Sequence, residues 1–221
     1  MEKLVIFDLD GTLLDTIEDI KNALNKALIN LGYNVNYSKK EVSSFVGSGA
    51  LILAKRALEK LNIEDEKIIL ELRDEYNSIY GKSSNIYTKP FDGIKEMLEV
   101  LKHKNFKLVV FSNKPDIDTK SVIKSYFGDN LFDVVRGQIE GVKVKPNPEG
   151  LYNILKIFPT INKENIYYVG DSDVDMETGK NASLKTIGVT WGYRDKSILE
   201  SYNPTIIVDS VESLFKTLTK I

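Results

Sequence analysis

Two acids stand two residues apart in Asp8-Leu9-Asp10-Gly11-Thr12, directly after the apolar run Leu4-Val5-Ile6-Phe7. In an extended chain, residues two apart share a face. Asp8 and Asp10 can therefore serve one site, unless the turn at Gly11 twists them apart. Neighbouring carboxylates raise each other's proton affinity, so such a pair calls for a cation or a shared proton. A hard, oxygen-ligated ion such as Mg²⁺ suits it. Three more stretches carry related chemistry. Ser112-Asn113-Lys114-Pro115 offers uncharged donors to an anion, although Ser and Asn also cap helices. Lys143-Val144-Lys145-Pro146-Asn147-Pro148 holds a lysine in proline-stiffened backbone, where it can offset a phosphate or a developing charge or simply be solvated. Gly170-Asp171-Ser172-Asp173-Val174-Asp175 groups acids in an order that does not fit an EF-hand. It suits either a cation site or the acidic first turn of a helix.

The elements that must position these loops are legible as alternating patterns. Short apolar, β-branched runs span 3–7, 107–111, 133–135, 165–169, 186–190 and 205–208. Helical segments lie between them at 92–102, 117–126, 149–157, 176–182 and 211–218. Such alternation predicts a doubly wound parallel sheet with right-handed crossovers, a Rossmann-like α/β core. A parallel sheet brings its strand ends to one edge, where α/β proteins bind their ligands. That places donors, a lysine and acids together, which is hard to attribute to chance.

One region breaks the alternation. Between Thr16 and Tyr87 no strand pattern is present, and Ile17, Ile20, Ala23, Leu24, Ala27, Leu28 and Leu31 keep helical spacing. Gly32 reads as the stop of that helix. Ser38 with Glu41 reads as a capping box for the next. Two further helices are expected over 51–61 and 65–80, with Gly81 closing the last. The expectation is a core of 1–15 and 88–221 with an α-helical domain of 16–87 inserted.

Composition narrows the chemistry. The chain has 221 residues, is 42% hydrophobic, and sets 30 Lys and Arg against 32 Asp and Glu. That balance gives no basic surplus to favour nucleic acid or a membrane surface. With no cysteine and a single histidine, thiolate nucleophiles and Cys- or His-rich metal sites are excluded. His103 reads as a helix-terminal surface residue, so carboxylates must carry the acid–base and metal work. No signal peptide or spanning segment is visible, and a cytoplasmic location is expected.

Taken in order, Asp8-Leu9-Asp10-Gly11-Thr12, Ser112-Asn113, Lys145-Pro146 and Gly170 through Asp175 resemble the four motifs of the haloacid dehalogenase superfamily of phosphotransferases. The helical insertion resembles that family's α-helical cap. The second acid, Asp10, resembles the phosphatases and mutases of the superfamily. Phe45-Val46-Gly47-Ser48-Gly49-Ala50-Leu51 and Val189-Thr190-Trp191-Gly192-Tyr193 are similar to segments of phosphoglycolate phosphatases. The resemblance implies a Mg²⁺-dependent phosphatase acting on a small phosphate ester through an aspartyl-phosphate on Asp8. It implies Mg²⁺ held by Asp8, the Asp10 carbonyl and Asp171, with Asp175 supporting from behind. Asp10 becomes the acid and base. Ser112, Asn113, Lys145 and backbone N–H groups from Leu9 to Gly11 bind the transferring phosphoryl group. The turn at Gly47, Ser48 and Gly49 is expected to read the substrate, while Arg56 reads as a solvated helix face. A monomer or weak homo-oligomer is expected. A pyrophosphatase or sugar phosphomutase of the same superfamily is the alternative within enzymes. A phospho-receiver module is the alternative outside them, disfavoured by the Asp pair and the insertion.

Overall fold

The computed structural model describes residues 2–83 and 85–220. Two compact units divide the chain, one of residues 1–14 and 90–221 and one of 15–89. In the first, six strands lie in the order β5-β4-β1-β6-β7-β8, and every described pairing among them is parallel. They are β1 (Leu4–Phe7), β4 (Lys107–Pro115), β5 (Val134–Gln138), β6 (Ile166–Gly170), β7 (Lys185–Val189) and β8 (Ile206–Val208). Two short strands, β2 (Leu14–Asp15) and β3 (Lys89–Pro90), form a separate pair where the chain passes between the units.

The sheet is apolar on both faces because helices cover both. Side chains alternate along a strand, so Val5 and Phe7 join one cluster while Leu4 and Ile6 join another. The first face packs on α5 (Ile94–His103), α6 (Asp116–Phe127) and α10 (Val211–Lys220) through Ile94, Leu98, Val122, Ile123 and Leu214. The second packs on α7 (Glu149–Leu155) through Leu151 and Ile154. Two further helices, α8 (Asp173–Asn181) and α9 (Lys196–Ser201), complete this unit. The short α9 has no counterpart in the apolar periodicity.

Differences from the sequence reading have local causes. Strand β4 does not stop at Phe111 but runs to Pro115 through a register shift, so Ser112, Asn113 and Lys114 lie in extended backbone beside β5. Helix α8 begins three residues earlier than its apolar pattern, because Ser172 and Asp175 form a reciprocal capping box.

The second unit is four helices, α1 (Ile17–Asn30), α2 (Lys39–Phe45), α3 (Ala50–Glu59) and α4 (Glu66–Ser83). Ser38 and Glu41 make the capping box of α2. Gly32 takes a positive φ of 88° just past α1, which a residue with a Cβ adopts reluctantly. Gly81 does not end α4, which continues to Ser83; Gly81 is not among the residues with positive φ and sits in ordinary helix. Asp19, buried on α1, accepts from the Tyr87 and Thr88 N–H groups and the Thr88 hydroxyl. It thereby ties the end of the unit to its beginning. No described helix is long and apolar enough to cross a membrane.

Candidate active site

Strand order places the chemistry. Strands β4, β1 and β6 are neighbours, so the segments at their carboxyl ends are adjacent. Asp8 leaves β1 with its N–H on the Val169 carbonyl of β6 at 2.9 Å. The carboxylates of Asp8, Asp171 and Asp175 lie within 4.8 Å of one another, all buried.

Lys145 enters this cluster from the loop before α7. Its ammonium donates to Asp8 Oδ1 at 2.7 Å, to Asp175 Oδ1 at 2.7 Å and to the Phe111 carbonyl at 3.3 Å. An ammonium has three donors, and all three are used. Burial alone would pull Lys145 down, but Asp175 and Asp8 hold it well above the usual lysine range. It therefore stays charged. Burial pushes Asp8 well above the usual carboxylate range; Asp175 and Asp171 add to the push and Lys145 opposes it. Asp171 is raised to about 7, again by burial first and Asp175 second. Fully ionised, the three carboxylates would exceed the one ammonium by two negative charges in a buried place. An all-oxygen donor set with that deficit fits a hard divalent cation.

Asp171 is held from two sides. Its Oδ1 accepts from the Thr12 hydroxyl at 3.0 Å and its Oδ2 from the Tyr193 N–H at 2.7 Å. A Cβ on either Gly11 or Gly192 would overlap this carboxylate, which explains glycine at both positions. Asp175 is tied on one oxygen to Lys145 and to the Tyr168 hydroxyl, and on the other to Ser172. It thereby anchors Lys145.

Several expected donors are used differently. The Gly11 N–H donates to the Leu14 carbonyl at 2.8 Å, so it is not available to an anion. The N–H groups of Leu9 and Asp10 have no acceptor among the described residues. The Asn113 side chain is engaged with backbone as well. Its Oδ1 accepts from the Lys145 N–H at 2.8 Å and its Nδ2 donates to the Lys145 carbonyl at 3.1 Å. Ser112 Oγ accepts from the Lys114 N–H at 3.2 Å, which leaves its own proton to be donated elsewhere. Asp10 is paired with Lys114, whose Nζ is 3.1 Å from its Oδ1.

Sequence reasoning passed over Thr12, Lys114, Tyr168, Ser172 and the Tyr193 N–H. Thr12, Lys114 and Ser172 sat inside the motifs that drew attention. Only the polar character of residues expected to be buried marked them.

In the helical unit, Gly49 precedes α3 at φ 83° and Gly47 has φ 109°. Arg56 is not a solvated face. Its guanidinium donates to the Phe45 carbonyl at 3.0 Å and the Val46 carbonyl at 3.3 Å, beside Ser48. From two turns along α3 it pins the chain that enters the Gly47-Ser48-Gly49 turn.

The model of the haloacid dehalogenase-like hydrolases matches residues 5–189, most of the chain. The chain belongs to that family. This hydrolase is 30% identical to the phosphoglycolate phosphatase of Haemophilus influenzae over 98% of both chains. It is 34% identical to that of Aquifex aeolicus over 86% of both. A crystal structure of a candidate phosphoglycolate phosphatase from Lactobacillus delbrueckii subsp. bulgaricus superposes with a TM-score of 0.91 at 28% identity, covering 98% of each chain. The hydrolase is thus phosphoglycolate phosphatase-like, a phosphoric monoester hydrolase on the sheet framework described above.

Proposed function

We propose that this hydrolase is a Mg²⁺-dependent phosphatase of small phosphorylated carboxylates, 2-phosphoglycolate first among them. The observation that carries the reading is Lys145 Nζ held 2.7 Å from both Asp8 and Asp175, beside Asp171, at the edge where three strands end. The substrate follows the two relatives named above, both phosphoglycolate phosphatases.

Asp8 and Asp171, with the Asp10 carbonyl, would hold the ion. When bound, Mg²⁺ offsets the repulsion between carboxylate and phosphate dianion. The Asp8 oxygen that Lys145 does not occupy attacks phosphorus, the alkoxide leaves, and an aspartyl-phosphate remains. Lys145 stays protonated and stabilises charge on the transferring oxygens. The Ser112 hydroxyl, with the N–H groups of Leu9 and Asp10 that find no acceptor among the described residues, donates to those oxygens. Asp10 gives its proton to the leaving oxygen, then takes one from the water that cleaves the acyl phosphate. Selection among esters falls to the helical unit, a cap in function, through the Gly47-Ser48-Gly49 turn.

Phosphate release from 2-phosphoglycolate and from p-nitrophenyl phosphate, with Mg²⁺ and with EDTA, tests the reading. Mg²⁺-dependent hydrolysis with 2-phosphoglycolate strongly preferred is expected. Undiminished turnover in EDTA, or no preference between the two, would contradict it.

A further inference from the structure

We infer that Lys114 is a positioning residue for Asp10, holding one carboxylate oxygen so that the other meets the leaving group. The inference rests on the acid–base reading of Asp10 and adds a residue to it. Lys114 Nζ lies 3.1 Å from Asp10 Oδ1, with side chains only 7% and 14% exposed. Asp10 Oδ2 makes no hydrogen bond among the described residues. The contact spans 104 residues of sequence and joins the ends of neighbouring strands β1 and β4. A withdrawn ammonium loses hydration that its partners must replace, and Asp10 Oδ1 is one of the partners of Lys114.

The backbone under Lys114 is held on three sides. Its N–H donates to Ser112 Oγ at 3.2 Å, and its carbonyl accepts from Thr119 Oγ1 at 3.2 Å. On the third side, a Cβ on Gly137 would come within 2.6 Å of the Lys114 carbonyl oxygen. The bulged end of β4 thus carries the Lys114 ammonium to Asp10. A general acid must present one oxygen along the line to the leaving atom. A carboxylate rotating freely about its last bond would present either oxygen, or neither. With Oδ1 fixed, Oδ2 is the oxygen presented.

Lys114→Met, Lys114→Arg, Asp10→Asn and the double variant Lys114→Met/Asp10→Asn should be compared on 2-phosphoglycolate, glycerol 2-phosphate and p-nitrophenyl phosphate with Mg²⁺. For Lys114→Met on the alkyl esters, kcat and kcat/KM should fall together, by up to about 10²-fold, as misplacement of a reacting group costs. The burst step with p-nitrophenyl phosphate, whose leaving group scarcely needs a proton, should fall far less. Lys114→Arg should recover most of the loss. The double variant should be no slower than Asp10→Asn beyond about twofold, since the two residues act as one. Should circular dichroism show Lys114→Met unfolded, Lys114→Gln takes its place. Alkyl-ester turnover within about twofold of wild type, or losses that multiply in the double variant, overturns the inference. If Asp10→Asn loses nothing on alkyl esters, the acid–base reading of Asp10 itself has failed, and the Lys114 role falls with it.

Discussion

At the residue scale, the site is governed by how few donors are left over. Asn113 engages its amide oxygen and one amide N–H with the Lys145 backbone, so it places the ammonium. Asn113→Ala would leave the Lys145 N–H and carbonyl unpaired in a buried loop, about 1–3 kcal/mol for each group. We expect a lower melting temperature and a kcat reduced by about 10- to 10²-fold with KM little changed, read by thermal unfolding and steady-state kinetics. A fall confined to KM would instead return the side chain to the phosphate. Asp8→Asn should abolish phosphate release with circular dichroism unchanged, because an amide is a poor nucleophile and gives up one of the paired charges. Retained turnover above a few per cent would remove Asp8 as the nucleophile.

Among the elements, the carboxyl end of β4 and the entry to α3 decide most. The first uses its bulge to send Asn113 to Lys145 and Lys114 to Asp10. The second is a turn with positive φ at Gly47 and Gly49, its preceding carbonyls gathered by Arg56. In the proposed reading the substrate carboxylate sits at the start of α3, where a helix N-terminus favours an anion. Gly49→Leu places a branched side chain where φ is 83°. It should raise KM for 2-phosphoglycolate by about 10-fold or more while p-nitrophenyl phosphate changes little. That contrast is the mark of lost ground-state binding. Equal effects on both esters, or none, would move substrate reading to another part of the helical unit.

For the whole molecule, the buried charge imbalance links folding, protons and metal. Asp171 is raised to about 7, against about 3.9 for an unfolded Asp. Between those values the metal-free native state keeps a proton that the unfolded chain has released. This carboxyl's contribution to stability is therefore full below about pH 4 and is lost as pH rises through about 7. Mg²⁺ needs the ionised form, so its stabilising effect should grow across the same window. Differential scanning fluorimetry should show a larger Mg²⁺-induced rise in melting temperature at pH 8 than at pH 5.5, and Asp171→Asn should flatten the difference. An equal rise at both pH values would exclude Asp171 as the linked group. Much of this architecture was already legible in the chain. Apolar runs of four or five residues, alternating with helical periods, suffice for a parallel sheet, because burial on both faces leaves no other pattern. Asp8, Asp171 and Lys145 stood out only as a set, since each alone had an ordinary structural reading; the fold brings the three side chains together. What only the tertiary structure decided is which partner each polar group takes. Lys145 meets Asp8 across 137 residues and Lys114 meets Asp10 across 104. No local pattern encodes such distances. They follow from strand order, from one bulge in β4, and from two glycines that let backbone crowd against Asp171.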